Sequence, residues 1–465
     1  MPDDLLAPDR LIRDRLIGPD ETFATLGRRV SSIAFDHPLG RRWWFAFAAS
    51  LGLAGVMAVC LVAILSQGVG VWGNNTPVMW ALDIVGYDWW IGIASGGLLV
   101  SGALLLTDSA WRGAINRMTE TVALLSAIAA GLFPIIHLGR PWLFYWNLPY
   151  PNTLLLWPQF RSPLVWDAFD ILSFLVVCFI FWYVGLLPDL AALRDRALDR
   201  ARERNAGGGL LRAQLYGIAA LGWRGSAVHW ERWRQAHRTL ALLGVLLVVS
   251  LQTGAAVMFA GSVEPGWHDT LLPASFLFAA AMQGVGVVAA CVVLLRWVLR
   301  LGALVTPRHL QLMAGLLLAL GVANLYCYAA EIASAALRGD AYERAVWVRR
   351  FTGEHAWAAW MIVAFALLPV HVFWSPAARR APAVLAAVGA LAAAGMFGDH
   401  FMVIVTTLQH DFLPSSAQAY AMNLWELATF AGSMGVFLTI LLLAVRTLPI
   451  VSILELRRLA GGMLD

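Results

Sequence analysis

Apolar residues fall along this chain in long runs separated by short polar connections. The runs lie near 43–66, 88–108, 118–138, 163–187, 238–260, 272–298, 308–336, 354–374, 382–408 and 425–448. Each has about the 20 apolar residues that a helix needs to cross the hydrocarbon core of a bilayer. Several contain Gly or Pro, which membrane helices tolerate when neighbouring helices satisfy the freed backbone groups. The pattern predicts an all-α integral membrane protein of about ten transmembrane helices. Residues 1–42 read as a polar N-terminal segment, 43–448 as the transmembrane domain and 449–465 as a tail.

Composition agrees with the pattern. Of the 465 residues, 60% are hydrophobic and 13% charged, about half the charged share of a soluble domain. With a mean hydropathy of +0.70, a soluble fold could not hide this much apolar surface. The four cysteines, Cys60, Cys178, Cys291 and Cys327, are scattered inside apolar runs. That predicts small buried hydrophobes, and no iron–sulfur cluster, which would need several converging thiolates. The N-terminal segment lacks the apolar core of a cleaved signal peptide, so the first helix is expected to act as its own insertion signal.

Charge gives the helices a direction. All 33 basic residues are Arg, and the absence of lysine excludes a Schiff base. If the N-terminus is cytoplasmic, 27 of them fall on the inner side and only Arg140, Arg161, Arg338, Arg344, Arg349 and Arg350 on the outer side. Cytoplasmic connections carry the excess of Arg, so both termini are expected in the cytoplasm. The inner connection 188–238 holds the run RDRALDRARERN and then Gly207, Gly208 and Gly209. It reads as a short charged helix and a break on a face that touches anionic lipid, or as a docking surface for a partner. The outer connection 138–163 is rich in Pro and Trp. Trp142, Trp146 and Trp157 fit an interfacial aromatic belt or a lid over a site.

Ionisable residues at membrane depth are expensive and mark candidate functional positions. His137 ends helix three, Arg140 follows one turn later, and Asp167 opens helix four with Asp170 one turn below. This topology brings all four to the outer leaflet. A His and a carboxylate on adjoining helices can bind the two oxygens of a quinone head group and accept its protons. They can equally close the helix ends as an ion pair, with His137 or Arg140 against Asp167. Elsewhere lie Glu120 in helix three, Glu331 in helix seven, Glu354, His355 and His371 in helix eight, and Asp399 and His400 in helix nine. These suit buried interhelical hydrogen bonds or a proton path. The histidines do not recur at a spacing that suits bis-His haem ligation, and haem is not expected.

Particular stretches resemble a known family. HLGRPW with PYPN and RSPLVWD, together with FWYVGLLPDLAALRDRA, RQAHRTLALL, PGWHDTLLP and LQHDFLPSSAQAY, resemble the NrfD/PsrC family of polysulfide reductase membrane subunits. Within it they are most similar to the ActC subunits of alternative complex III. The likeness covers roughly 67–460. It implies two four-helix bundles, helices two to five and six to nine, with helices one and ten flanking. It also implies a quinol:electron-acceptor oxidoreductase of the bacterial inner membrane, with menaquinol or ubiquinol bound on the periplasmic side. His137 and Asp167 align with the family's catalytic pair, and Arg140, Asp170 and Gln252 would join them around the quinol. Glu120, Glu331, Asp399 and His400 would carry protons. No metal, haem or cluster is implied in this chain. The implied partners are an iron–sulfur, molybdopterin-like periplasmic subunit, a second NrfD-like membrane subunit and c-type cytochromes, with no nucleic acid. The chain departs from the pattern at Ala94, Ser95 and Gly96, where the family carries His-Ala-Gly. It departs again at Gln252 and Met258, where the family has His and Asp, and at Asp399 and His400, where Glu-Arg is usual. Ser95, Gln252 and His400 are candidates to fill those roles; the alternative is a non-catalytic scaffold or proton-conducting paralogue.

Overall fold

In the computed structural model of the chain, the described residues are 16–36, 40–147, 160–161, 163–204, 207–268, 270–410 and 412–460. Among them the regular elements are helical, and ten helices are long and apolar enough to span a membrane. They are α1 (Arg41–Gln67), α2 (Leu82–Leu106), α3 (Asn116–His137), α4 (Pro163–Arg204), α5 (Ala227–Ala260), α6 (Leu272–Val298), α7 (Pro307–Arg338), α8 (Ala356–Trp374), α9 (Pro382–Thr406) and α10 (Leu424–Thr447). The chain is a multi-pass integral membrane protein. Large apolar side chains such as Phe45, Val59 and Val62 of α1 stand exposed on its flank, where only a bilayer would cover them.

Three boundaries differ from the apolar runs, for one reason: hydropathy marks the part of a helix inside the membrane and is silent about polar turns beyond it. Helix two begins at Leu82 rather than 88, because Asp83, Tyr87 and Asp88 make its first turns polar. Helix four does not stop near 187 but continues to Arg204, and helix five begins at Ala227 rather than 238. At 1.5 Å per residue the 42 residues of α4 extend about 63 Å, twice the hydrocarbon thickness. The charged helix expected within 188–238 is therefore the far end of α4, and a second helix, Gly207–Ala219, packs back against it.

The continuity of α4 through Pro188 needs an explanation, since proline lacks the N–H that would bond the carbonyl four residues earlier. That carbonyl, on Val184, accepts a hydrogen bond from Trp233 Nε1 of α5 at 2.8 Å. A side chain of a neighbouring helix thus satisfies the freed group.

Helices α2 to α5 pack in a ring, each against the next, and α6 to α9 make a second ring. The pair α1 and α10 lies along α2 and α3. Helix α2 is the shared member. It touches α3, α5, α6, α9 and α10, and Trp89 and Trp90 donate to Ala393 O of α9 at 2.7 Å and to Ser433 Oγ of α10 at 2.8 Å. Small residues let the rings meet closely, as in other membrane helix interfaces. A Cβ on Gly96 of α2 would sit 2.1 Å from Ala280 O of α6, and one on Gly286 of α6 would sit 2.4 Å from Gly389 O of α9. Two spans leave the α-form locally: α8 passes through a π-turn at Ile362–Leu367, and α9 ends in one at Met402–Thr406, directly after Asp399 and His400.

Gly286→Val should lower stability by about 1–3 kcal/mol, the usual cost of overpacking, seen as a lower melting temperature in detergent. Gly131→Ala, where a methyl group meets nothing within 4 Å, should leave the melting temperature unchanged or raise it.

Candidate functional site

The polar first turns of α2 organise the end of the molecule where α3 finishes. Asp83 lies in the first turn, where the unpaired N–H groups and the helix dipole favour a carboxylate, and its Oδ1 accepts from Ala81 N at 3.3 Å. Its other oxygen hydrogen-bonds His137 Nδ1, joining α2 to the last residue of α3. Asp83 is buried, whereas the His137 side chain keeps 27% of its surface exposed, so part of the ring faces outward. One turn further along the same face of α2, the Tyr87 hydroxyl lies close to the Asp167 carboxyl of α4. Asp170 lies beside Asp167, and the Asp88 carboxylate faces Asp167 from the neighbouring position of α2. Helices α2 and α4 run in the same direction from this end, which puts Tyr87, near the start of one, level with Asp167, near the start of the other.

His137 and Asp167 therefore belong to one cluster but are not bonded to each other. His137 meets Asp83, Asp167 meets Tyr87, and α2 carries both partners four residues apart. The proposed helix-end ion pair between His137 or Arg140 and Asp167 is not formed. Arg140 is exposed just beyond α3 and makes no ion pair among the described residues. Asp83 and Tyr87 escape a sequence reading that starts helix two at 88, and Asp88, the first residue of that run, is not singled out by it. The signal was present in ALDIVGYDWW: acidic and aromatic residues at helical spacing ahead of an apolar run.

A loop covers the start of α2. Asn423 caps α10 by accepting from Glu426 N at 3.1 Å, and Glu426 Oε2 accepts from Asn423 N at 3.0 Å, a reciprocal capping box. Tyr420 donates to Glu426 Oε1 at 2.8 Å, and burial together with the Glu426 charge raises the Tyr420 hydroxyl pKa well above its ordinary value. The connection after α3 begins as a 3-10 turn, Pro141–Asn147, with Trp142 and Trp146 exposed. Trp157 lies outside the described residues.

Asp88 also looks across to the second ring. Among the described residues its Oδ2 makes no hydrogen bond, and it lies 3.9 Å from His400 Nδ1, which has no partner there either. Gln283 Nε2 of α6 donates to His400 Nε2 at 3.4 Å. The adjacent Asp399 accepts from the Tyr328 hydroxyl of α7, and one turn along α7 Glu331 accepts from Ser275 at 3.1 Å. Tyr328, Glu331, Asp399 and Ser275 line a cavity of about 90 Å³, room for several waters.

Two expected members lie elsewhere. Gln252 is not with His137: its amide donates to Ser95 Oγ at 2.8 Å in the buried interior, roughly two turns deeper on α2 than Tyr87. Met258 is half-buried on α5. Glu120 is at the opposite, arginine-rich end. Arg117 donates to Glu120 Oε2 at 2.9 Å and to Asp189 Oδ2 at 2.9 Å, and also to Gly185 O. Ser101 donates to Glu120 Oε1 at 2.9 Å, and Leu454 N to Asp189 Oδ1 at 3.2 Å. One guanidinium thus serves two buried carboxylates, and Glu120 is bonded to Arg117 and lies apart from the cluster near His137. Among the described residues no group of three or more metal-ligating side chains converges.

Comparison with known proteins gives this geometry a context. A family model described as "Polysulphide reductase, NrfD" matches residues 70–410. The chain is 28% identical over 280 residues to a putative dimethyl sulfoxide reductase membrane subunit of Halobacterium salinarum, covering 56% of this chain and 53% of that protein. It is 24% identical over 253 residues to a selenate reductase subunit of Mesobacillus selenatarsenatis, covering 52% and 54%. In both cases the chain spans about half the length of the curated relative. Over 382 residues it is 24% identical to an Hdr-like menaquinol oxidoreductase integral membrane subunit of Archaeoglobus fulgidus, covering 79% of this chain and 81% of that protein.

Arg117→Leu should destabilise the fold by about 3–5 kcal/mol, because it leaves two buried carboxylates without a counter-charge. Adding Glu120→Gln and Asp189→Asn should recover most of the loss. Thermal unfolding of the three proteins in detergent checks this, and equal melting temperatures for the single and triple variants would overturn it.

Proposed function

The chain belongs to the NrfD polysulphide reductase family, and from that premise we propose that it is the membrane subunit of a quinol-oxidising reductase complex. The quinol head group is held against His137 and Asp167. One observation carries the reading: α2 presents Asp83 to His137 and Tyr87 to Asp167 one turn apart, so a base from α3 and a carboxylate from α4 are fixed around the same face. The likeness to a menaquinol oxidoreductase membrane subunit over four-fifths of that protein supports it.

Quinol oxidation releases two electrons and two protons. Asp83 accepts the Nδ1 proton of His137, which leaves Nε2 as the atom with a free lone pair. The imidazole then takes one quinol proton while the Asp83 carboxylate stabilises the imidazolium, the division of labour of a His–Asp pair in general base catalysis. Asp167, steadied by the Tyr87 hydroxyl, takes the second, and Asp170 beside it can pass the proton on. Removing protons from the hydroxyls makes the ring a stronger reductant. The electrons leave to a redox centre outside this chain, in an iron–sulfur partner subunit. Asp88, His400, Asp399, Tyr328 and Glu331 offer the protons a further course through the second ring to its cavity.

The finer reading is an alternative complex III type of assembly in a bacterial inner membrane. A second NrfD-like subunit and c-type cytochromes would complete it. The Arg distribution supports a cytoplasmic location for the arginine-rich end and both termini, which makes the His137 end periplasmic. A second reading, a scaffold without quinol chemistry, draws on Ser95 and Gln252 satisfying each other inside the first ring.

Asp167→Asn separates the two readings. In the assembled complex it should lower quinol oxidation by about 10²–10⁴-fold, the usual worth of a proton acceptor, with every subunit still present in its wild-type amount. Asp83→Asn should lower it too, by disorienting His137. Wild-type turnover in an assembled Asp167→Asn complex would leave the scaffold reading standing.

A further inference from the structure

A large cavity lies at the end away from His137. It measures about 1290 Å³ and is bounded by the extensions of α4 and α5 beyond their membrane spans, by helix Phe23–Asp36 and by helix Ile453–Ala460. Nine arginines line it against five carboxylates, Asp108, Asp189, Asp195, Asp199 and Glu455, so the basin carries a net positive charge. Arg112 and His237 form the floor, and Arg196, Arg234, Arg457 and Arg458 stand around the wall.

Two features show that these charges are incompletely answered by the protein. The first is at the floor. Arg112 is buried and pairs with Glu455 through Nη1 at 2.5 Å, yet its Nε and Nη2 have no hydrogen-bond partner among the described residues. His237 is 1% exposed, and neither ring nitrogen has a partner among the described residues. A buried guanidinium edge and a buried imidazole without partners are costly unless something else satisfies them. The second is at the wall. Arg196, Arg234, Arg457 and Arg458 form no ion pair among the described residues. Burial lowers the pKa of both Arg457 and Arg458, and Arg234 adds like-charge repulsion on Arg458. An anion in the basin would relieve all of these.

The surroundings indicate which kind of anion. Trp223, Trp230 and Trp233 border the basin, and tryptophan concentrates where a bilayer meets water. Arg458 lies 5.9 Å from the ring centres of both Trp230 and Trp233. The helix Gly207–Ala219, which leads directly into Trp223, exposes Leu211, Leu215 and Ile218 at helical spacing. An apolar stripe of that kind lies in the headgroup region of a membrane. Basic pockets between membrane helices at such a level take phosphate-bearing lipid head groups.

We propose that this basin binds the head group of an anionic phospholipid, with its phosphate oxygens accepting from Arg112 at the floor and from Arg234 and Arg458 at the wall. The same phosphate chemistry could come from a soluble source; the tryptophans that border the basin, Trp223, Trp230 and Trp233, favour lipid. The site is independent of the quinol reading, since none of its residues touches His137 or Asp167.

The test uses the assembled complex with the full chain. Phospholipid extracted from purified wild type, from Arg234→Gln/Arg458→Gln and from Arg379→Gln/Arg380→Gln is quantified by mass spectrometry. The second double variant removes charge from the helix Pro376–Arg380, which is outside the basin. Each arginine that reaches the bound head group is worth roughly fivefold in affinity for anionic lipid. The basin variant should therefore retain far less anionic phospholipid than wild type, and the control variant as much as wild type. In nanodiscs, phosphatidylglycerol added to phosphatidylcholine should raise the melting temperature of wild type and of the control but not of the basin variant. Equal retention in wild type and basin variant overturns the proposal. So does stabilisation of delipidated wild type by inorganic pyrophosphate that phosphatidylglycerol fails to match, which would assign the basin to a soluble anion. Arg112→Gln reports on the floor; if it does not assemble, the wall variant still decides.

Discussion

A carboxylate inside a bilayer has no water to turn to, and in this chain that constraint falls mainly on α2. Its first two turns carry Asp83, Tyr87 and Asp88. Placed on a helix facing lipid, these groups would cost several kcal/mol each. The fold therefore surrounds α2 on every side. His137 comes from α3, Asp167 from α4 and His400 from α9, while α10 presses its capped first turn against the loop that covers Asp83. The glycines that let α6 approach α2, and α9 approach α6, serve the same end. Close packing of the two rings is what brings polar groups on five different helices within reach of one another.

The other end obeys the constraint differently. There the charges are mostly arginine, and a single guanidinium, Arg117, links α3 to α4 and approaches the C-terminal helix Ile453–Ala460 through Ser452 and Leu454. Arginine suits this role because its planar fork can bond two carboxylates and a carbonyl together. The knot is closed: each of its members is bonded to another. The cluster near His137 is more open. His137 is partly exposed, and Asp88 and His400 face each other without a hydrogen bond. A closed knot holds helices in register, whereas an open set of acids and a histidine can exchange protons with something that enters.

Much of this was legible beforehand. Ten spans could be read because hydropathy over about 20 residues is a strong signal. His137 and Asp167 stood out because a single ionisable residue in an apolar run is rare. What escaped was the identity of their partners. A charged residue in the first turn of a span shortens the apparent apolar run, so Asp83 fell outside helix two and looked like loop. The length of α4 escaped for a related reason: Pro188 and the following charges mark the end of a span, but Trp233 supplies the bond that lets the helix continue. The pairing of Gln252 with Ser95 is likewise a fact of packing, since nothing in either local sequence points to the other.

The departures from the family pattern can be understood from these contacts. Where the family carries charged or titratable groups in helices two and five, this chain has Ser95 and Gln252, two neutral groups that satisfy each other. Their exchange therefore removes charge from the middle of the first ring while the two groups hydrogen-bond each other. In helix nine the opposite holds. Asp399 and His400 keep a titratable pair, tied to Tyr328 and Gln283 and turned towards Asp88. The chemistry-bearing groups are thus drawn to the end where α3 finishes, and the interior between that end and the Arg117 knot is left neutral. Under the proposed function, protons released near His137 would find polar partners sideways, through Asp88 into the second ring, rather than downwards through the first.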